Sequence, residues 1–123
     1  MRGAVLVSVV DDDDSIRRAL RRLIGSTGLE VDTFGSAEEF LEKGNRETAC
    51  LILDVRLPGM SGLELQHQLA GADPRISIIF MSAYGSEDLK DHAIMAGALG
   101  FLDKPIAEDL LLDQVRLALD ARR

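Results

Sequence analysis

Cysteine occurs once, at Cys50. No disulfide can close within the chain and no thiolate-rich metal site can form, which fits a reducing compartment. Cys50 lies inside an apolar run and reads as a small hydrophobe. Aromatic rings are scarce, with four Phe, one Tyr and no Trp. The core must therefore be aliphatic, and a sheet that stacks single-stranded bases on aromatic side chains lacks its material. Positive charge is in deficit: 14 Lys and Arg against 21 Asp and Glu give a net charge of −7. A chain so acidic has no net attraction for a phosphate backbone, so nucleic-acid binding is expected only from another domain or another chain. No apolar run approaches the ~18 residues of a membrane-spanning helix, and the N-terminal run is cut at Asp11 without a cleavage-type region. The expected setting is cytoplasmic, with no membrane partner.

The composition that remains is that of a folded domain. Apolar residues make up 46% of the chain and charged residues 28%, with a mean hydropathy of +0.07, which excludes disorder as the main state. With 123 residues, 1–123 reads as a single domain with its own core. Short aliphatic runs recur at 4–10, 29–34, 50–55, 76–82 and 100–102. Between them lie segments of helical spacing: Ile16, Leu20, Leu23 and Ile24 form one stripe, and Leu110, Leu111, Val115 and Ala118 another. Ser36 with Glu39 and Ser61 with Glu64 have capping-box spacing, Ser86 is a candidate N-cap, and Gly25, Gly44, Gly71 and Gly97 fall near expected helix ends. Strand then helix, five times over, predicts an α/β fold whose parallel sheet is covered on both faces. The runs at 4–10, 50–55 and 76–82 are almost purely apolar, as central strands are, whereas 29–34 alternates with Glu30 and Asp32 and reads as an edge. The prediction is a five-stranded, doubly wound sheet in the flavodoxin-like order 2-1-3-4-5 with five flanking helices. Its ligand crevice would lie at the carboxyl ends of strands 1 and 3.

Polar residues stop the central strands at that rim: Asp11 and Asp12 after strand 1, Asp54 after strand 3, Ser82 after strand 4, with Lys104 just past strand 5. Three carboxylates in one crevice repel unless a cation joins them, and oxygen donors without His or Cys suit Mg2+. Three carboxylates, one ammonium and one divalent ion sum to about zero. A phosphoryl group would then be held by the metal, Lys104 and Ser82, with Asp54 on the middle strand the natural nucleophile for in-line attack. For Asp13 and Asp14 the plainer reading is a helix N-terminus, where acids complement the dipole. An EF-hand is disfavoured, because the turn glycine and the closing glutamate are missing. Ser82 or Lys104 alone would be an ordinary strand-end residue.

Together, VVDDDDS at 9–15, LILDVRLPGMSGLEL at 51–65, MSAYGS at 81–86 and GFLDKP at 100–105 resemble the receiver domains of bacterial two-component response regulators, and the resemblance covers essentially the whole chain. It implies that Asp54 accepts a phosphoryl group from a phosphohistidine on a sensor histidine kinase. It further implies that Asp12 and Asp54 ligate Mg2+ directly, Asp11 largely through water, and Arg56 through its backbone carbonyl. Ser82 and Lys104 look like the family's phosphoryl-binding hydroxyl and lysine, and Phe101 like its switch aromatic. The Lys104–Pro105 bond is expected to be cis. The chain would be a phosphoacceptor that promotes its own phosphotransfer and dephosphorylation, not an enzyme acting on a separate substrate. Readout would fall on the fourth helix, fifth strand and fifth helix as a phosphorylation-dependent homodimer, with Lys90, Ile94 and Met95 near Phe101. A helix-turn-helix output domain of the LuxR type would lie beyond residue 123. Two departures stand out: Ser82 replaces the commoner threonine, and Phe101 has no hydroxyl, so a switch there works by packing. Arg56 would overhang the site and alter the hydrolysis rate.

Two rival classes each require a residue pattern that this chain does not have. A Mg2+-dependent phosphatase of the haloacid dehalogenase type needs Asp-x-Asp, and here the third position is Arg56. A flavin-binding module needs a phosphate-cradling first loop rich in Gly, Ser and Thr, where this chain has four aspartates. His67 and His92 are expected on the surface. Arg17, Arg18, Arg21 and Arg22 form a basic strip that reads first as a solvated face and second as a kinase-docking surface.

Overall fold

Strands and helices alternate through the computed structural model, which describes residues 6–44, 47–72 and 75–121. The order is β1 (Leu6–Val10), α1 (Asp14–Gly25), β2 (Glu30–Phe34), α2 (Ala37–Lys43), β3 (Thr48–Asp54), α3 (Gly62–Ala72), β4 (Ser77–Ser82), α4 (Glu87–Met95), β5 (Gly100–Asp103) and α5 (Glu108–Asp120). All strand pairs are parallel and the sheet runs β2-β1-β3-β4-β5. This is the predicted flavodoxin-like order. β2 pairs only with β1 and is the most exposed strand, as its alternating sequence requires. Of the first expected strand, residues 4 and 5 lie outside the described residues.

Pleating divides the core in two. Leu51 and Leu53 of β3 join Val10, Phe34, Phe40, Leu65, Phe80 and Ala93 in a cluster under α2, α3 and α4. Cys50 and Ile52 of the same strand join Val7, Val9, Leu20, Ile24, Ile79, Met81, Leu111 and Val115 under α1 and α5. Each fully buried aliphatic side chain contributes about 1.5–3 kcal/mol relative to exposure. The Cys50 thiol is buried in this second cluster, and desolvation pushes its pKa up to about 12, so it packs and does not react.

One strand boundary and one stripe residue depart from expectation for identifiable reasons. β3 starts at Thr48, two residues early, because the Thr48 and Ser8 hydroxyls bond to each other at 2.8 Å and so satisfy a buried polar pair. Leu110 is not part of the α5 core stripe: it is 55% exposed, whereas Leu111, Val115 and Ala118 are buried. Successive helical residues point about 100° apart, and Leu110 falls beside the buried line. The caps form as spaced. Ser61 accepts from Glu64 N–H at 3.1 Å while Glu64 accepts from Ser61 N–H at 2.8 Å, and Ser86 accepts from Leu89 N–H. Glu39 does not close its box on Ser36 but on Gly35 N–H, at 2.8 Å. Gly97 follows the α4 C-cap at φ +109, a conformation that favours glycine. His67 and His92 are exposed. No helix among the described residues is long and apolar enough to cross a membrane.

Candidate functional site

Parallel strands end at one rim, and the residues that end them meet there. Asp11 follows β1 directly and is fully buried; Asp54 is the last residue of β3 and 5% exposed; Ser82, the last of β4, is 1% exposed. Asp12, next along, is exposed. Carboxylate oxygens of Asp11, Asp12 and Asp54 lie within 4.8 Å of one another. Lys104, just past β5, closes the group. Its N–H donates to Ser82 O at 2.9 Å, the Lys104–Pro105 bond is cis as expected, and its Nζ donates to Asp11 Oδ2 at 2.8 Å and Asp54 Oδ2 at 3.2 Å.

Backbone amides fix the remaining oxygens. Asp11 Oδ1 accepts from Asp13 N–H at 2.9 Å and Asp54 Oδ1 from Arg56 N–H at 3.2 Å. Burial raises the Asp54 carboxyl, the negative Asp11 raises it further, and Lys104 and the Arg56 N–H pull it back. Burial alone would lower Lys104, but its hydrogen bond to Asp11 and the charges of Asp11 and Asp54 prevail and raise it. Three carboxylates against one ammonium leave two negative charges in a crevice of hard oxygen donors. That donor set fits a divalent, oxygen-seeking ion such as Mg2+.

The other sequence candidates are placed around this group. The Ser82 hydroxyl accepts from Tyr84 N–H at 3.1 Å, which leaves its own O–H to donate. The Arg56 side chain is exposed and its guanidinium stands 5.6 Å from the Tyr84 ring centroid. Phe101 is half-buried, 6.2 Å from the Phe80 ring, with Lys90 Nζ 5.9 Å from its own. Asp13 is the α1 N-cap, accepting from Ser15 and Ile16 N–H, and Asp14 pairs with Arg17 and Arg18. The basic strip is therefore divided. Arg18, Arg21 and Arg22 are exposed, Arg21 donating to Thr33 at 3.4 Å, whereas half-buried Arg17 donates to Asp11 O at 2.7 Å.

Three residues near the site were not found by sequence reasoning: Arg17 as a brace on Asp11, Tyr84, and Glu38, which accepts from Met60 N–H at 2.8 Å. Only Arg17 left a signal, since with Arg21 it makes an i, i+4 pair on one side of α1.

The response regulator receiver domain profile matches residues 7–116. The chain is 46% identical over 119 residues to Nodulation protein W of Bradyrhizobium diazoefficiens, covering 96% of this chain and 52% of that protein. It is 45% identical over 117 residues to Response regulator protein TodT of Pseudomonas putida, covering 94% and 52%. The low-resolution structure of response regulator StyR superposes with a TM-score of 0.89 at 45% identity, over 98% of this chain and 61% of that one. The chain spans about half the length of the curated relatives it matches.

Proposed function

The chain belongs to the response regulator receiver domains, the phosphorylation modules of two-component signalling, and on that premise we propose that Asp54 is its phosphoacceptor. The observation that carries this is the gathering of Asp11, Asp12 and Asp54 with the Lys104 ammonium at the end of the middle strand. The donor is a phosphohistidine on a sensor histidine kinase. An Asp54 carboxylate oxygen attacks phosphorus in line as the P–N bond to the imidazole breaks, giving an acyl phosphate that water later hydrolyses.

Each neighbour has a defined part. Lys104 holds Asp11 more closely than Asp54, so it can trade its Asp54 contact for a phosphoryl oxygen while staying anchored. Because it also opposes the rise in the Asp54 pKa, its loss would leave the acceptor harder to ionise. Ser82 donates its free O–H to a phosphoryl oxygen. Asp12 and Asp54 directly, Asp11 largely through water, and the Arg56 carbonyl would hold Mg2+, which when bound neutralises charge on the carboxylates and the incoming phosphoryl group. The exposed Arg56, beside Tyr84, would alter the rate of that hydrolysis. A haloacid dehalogenase phosphatase has no support: Arg56 stands where its second aspartate is required.

The domain acts by changing its own surface, in the cytoplasm, rather than by turning over a separate substrate. A DNA-binding output domain would receive the signal. Half-buried Phe101 and the exposed Ile94, Met95, Leu110 and Leu117 on α4 and α5 favour a readout there by homodimerisation. Sedimentation with and without beryllofluoride tests it: an unchanged mass in wild type removes dimerisation, and an unaffected Phe101→Ala response removes the aromatic switch. The phosphoacceptor is tested by intact mass after incubation with acetyl phosphate and Mg2+. Wild type gains one phosphoryl group and Asp54→Asn gains none; label on Asp54→Asn at another residue overturns the assignment.

A further inference from the structure

The loop after Asp54 is anchored at its base by backbone hydrogen bonds, one to β4 and one across its own ends. Val55 N–H donates to Met81 O at 3.0 Å, and Gly62 N–H returns to Val55 O at 2.9 Å. Between these anchors Leu57 and Met60 rest partly buried on the core, while Pro58 and Gly59 are exposed. The polar hold on the tip comes from a distant element, because Glu38 Oε2 in the first turn of α2 accepts from Met60 N–H, 22 residues on. Gly59 is shaped to this contact. Its φ is +76, and a Cβ there would stand 2.5 Å from Glu38 Oε2, so a larger residue would both strain the turn and push the carboxylate away.

Nothing about α2 itself requires this arrangement. Its neighbour Glu39 turns back to Gly35 N–H in the local manner of a first-turn acid. Glu38 is exposed, without burial to force a partner on it, yet it reaches across to the loop that carries Arg56. Arg56 sits between the base anchor at Val55 and the tip anchor at Met60, and its N–H holds Asp54 Oδ1 at 3.2 Å, the long end of an N–H···O bond.

We propose that Glu38 is a positioning residue: by tying Met60 it keeps the Arg56 backbone and the Asp54 carboxylate in the geometry that binds Mg2+. This rests on the reading of the site given above. Two measurements on unphosphorylated protein test it: amide exchange in metal-free buffer and Mg2+ affinity by calorimetry, for wild type, Glu38→Ala, Glu38→Gln and the exposed control Glu42→Ala. In Glu38→Ala the Met60 amide should exchange about fivefold faster, the size of one net hydrogen bond, and Mg2+ should bind about threefold more weakly. Glu38→Gln keeps an acceptor and should restore most of both, and Glu42→Ala should change neither. Faster exchange with unchanged Mg2+ affinity overturns the proposal, as does faster exchange throughout α2, which would make Glu38 a helix residue only. A wild type that binds Mg2+ but takes no phosphoryl label overturns Asp54 as acceptor and leaves the role of Glu38 standing.

Discussion

Residues 11–14 are four identical side chains in a row, and the fold divides them into two pairs with different work. Asp11 and Asp12 turn toward the crevice, where Asp54 and Lys104 meet them. Asp13 and Asp14 belong to α1, the first capping its open amides and the second pairing with arginines on its surface. Composition is the same on both sides of the division; only distance from the end of β1 differs. An acidic run thus acquires chemistry from where a strand stops, and beyond that point the helix claims it.

The largest effect that sharpens this contrast is in metal binding. Asp12→Ala should weaken Mg2+ binding by more than about tenfold, comparable to or greater than the loss of a supporting residue at a metal site, while Asp13→Ala should leave it near wild type. Calorimetric titration of both variants decides, and equal affinities would erase the distinction. Stability should divide them the other way. Asp13→Ala removes a cap bonded to two amides and should cost about 1 kcal/mol in urea unfolding. Asp12→Ala removes an exposed like charge from the cluster and should cost nothing in metal-free buffer; an equal loss in both variants would break the comparison.

The smallest effect separates acids by surroundings. Burial and the charge of Asp11 raise the Asp54 carboxyl, whereas the Met60 N–H lowers that of Glu38. A raised acid holds its proton more tightly folded than unfolded, so its favourable contribution is present at low pH and is lost as pH rises through the folded value. A lowered acid contributes above its unfolded value and loses that contribution as pH falls through its folded one. In metal-free buffer, Asp54→Asn should therefore flatten a decline in stability with rising pH, measured as urea midpoints. The Met60 amide resonance should titrate below the range of an ordinary glutamate, and titration at the ordinary value would detach Glu38 from it.

Strand order was legible because a strand buried on both faces must be largely apolar, and apart from Ser8 the polar side chains of the central strands fall at their ends. Asp11, Asp54, Ser82 and Lys104 could be placed on one rim for the same reason: parallel strands share an end. Contacts that reach into the loops left no comparable trace. The reach of Glu38 to Met60 and of Arg56 to Tyr84 depends on distances that exist only after folding. The start of β3 at Thr48 could not be read, because the partner that satisfies its hydroxyl, Ser8, lies 40 residues away. Leu110 misled, since a leucine beside a buried stripe looks like part of it.

The pleat of β3 also governs how this protein can change over generations. Ile52 and Leu53 are encoded by adjacent codons, yet the first packs beneath α1 and α5 and the second beneath α2, α3 and α4. Substitutions on the two sides share few partners, so their effects should be close to additive. A lineage can therefore remodel the cluster beneath α4 without repacking α1. The sheet serves as a firebreak between two gardens of mutation, and the strand-end aspartates stand where the two meet.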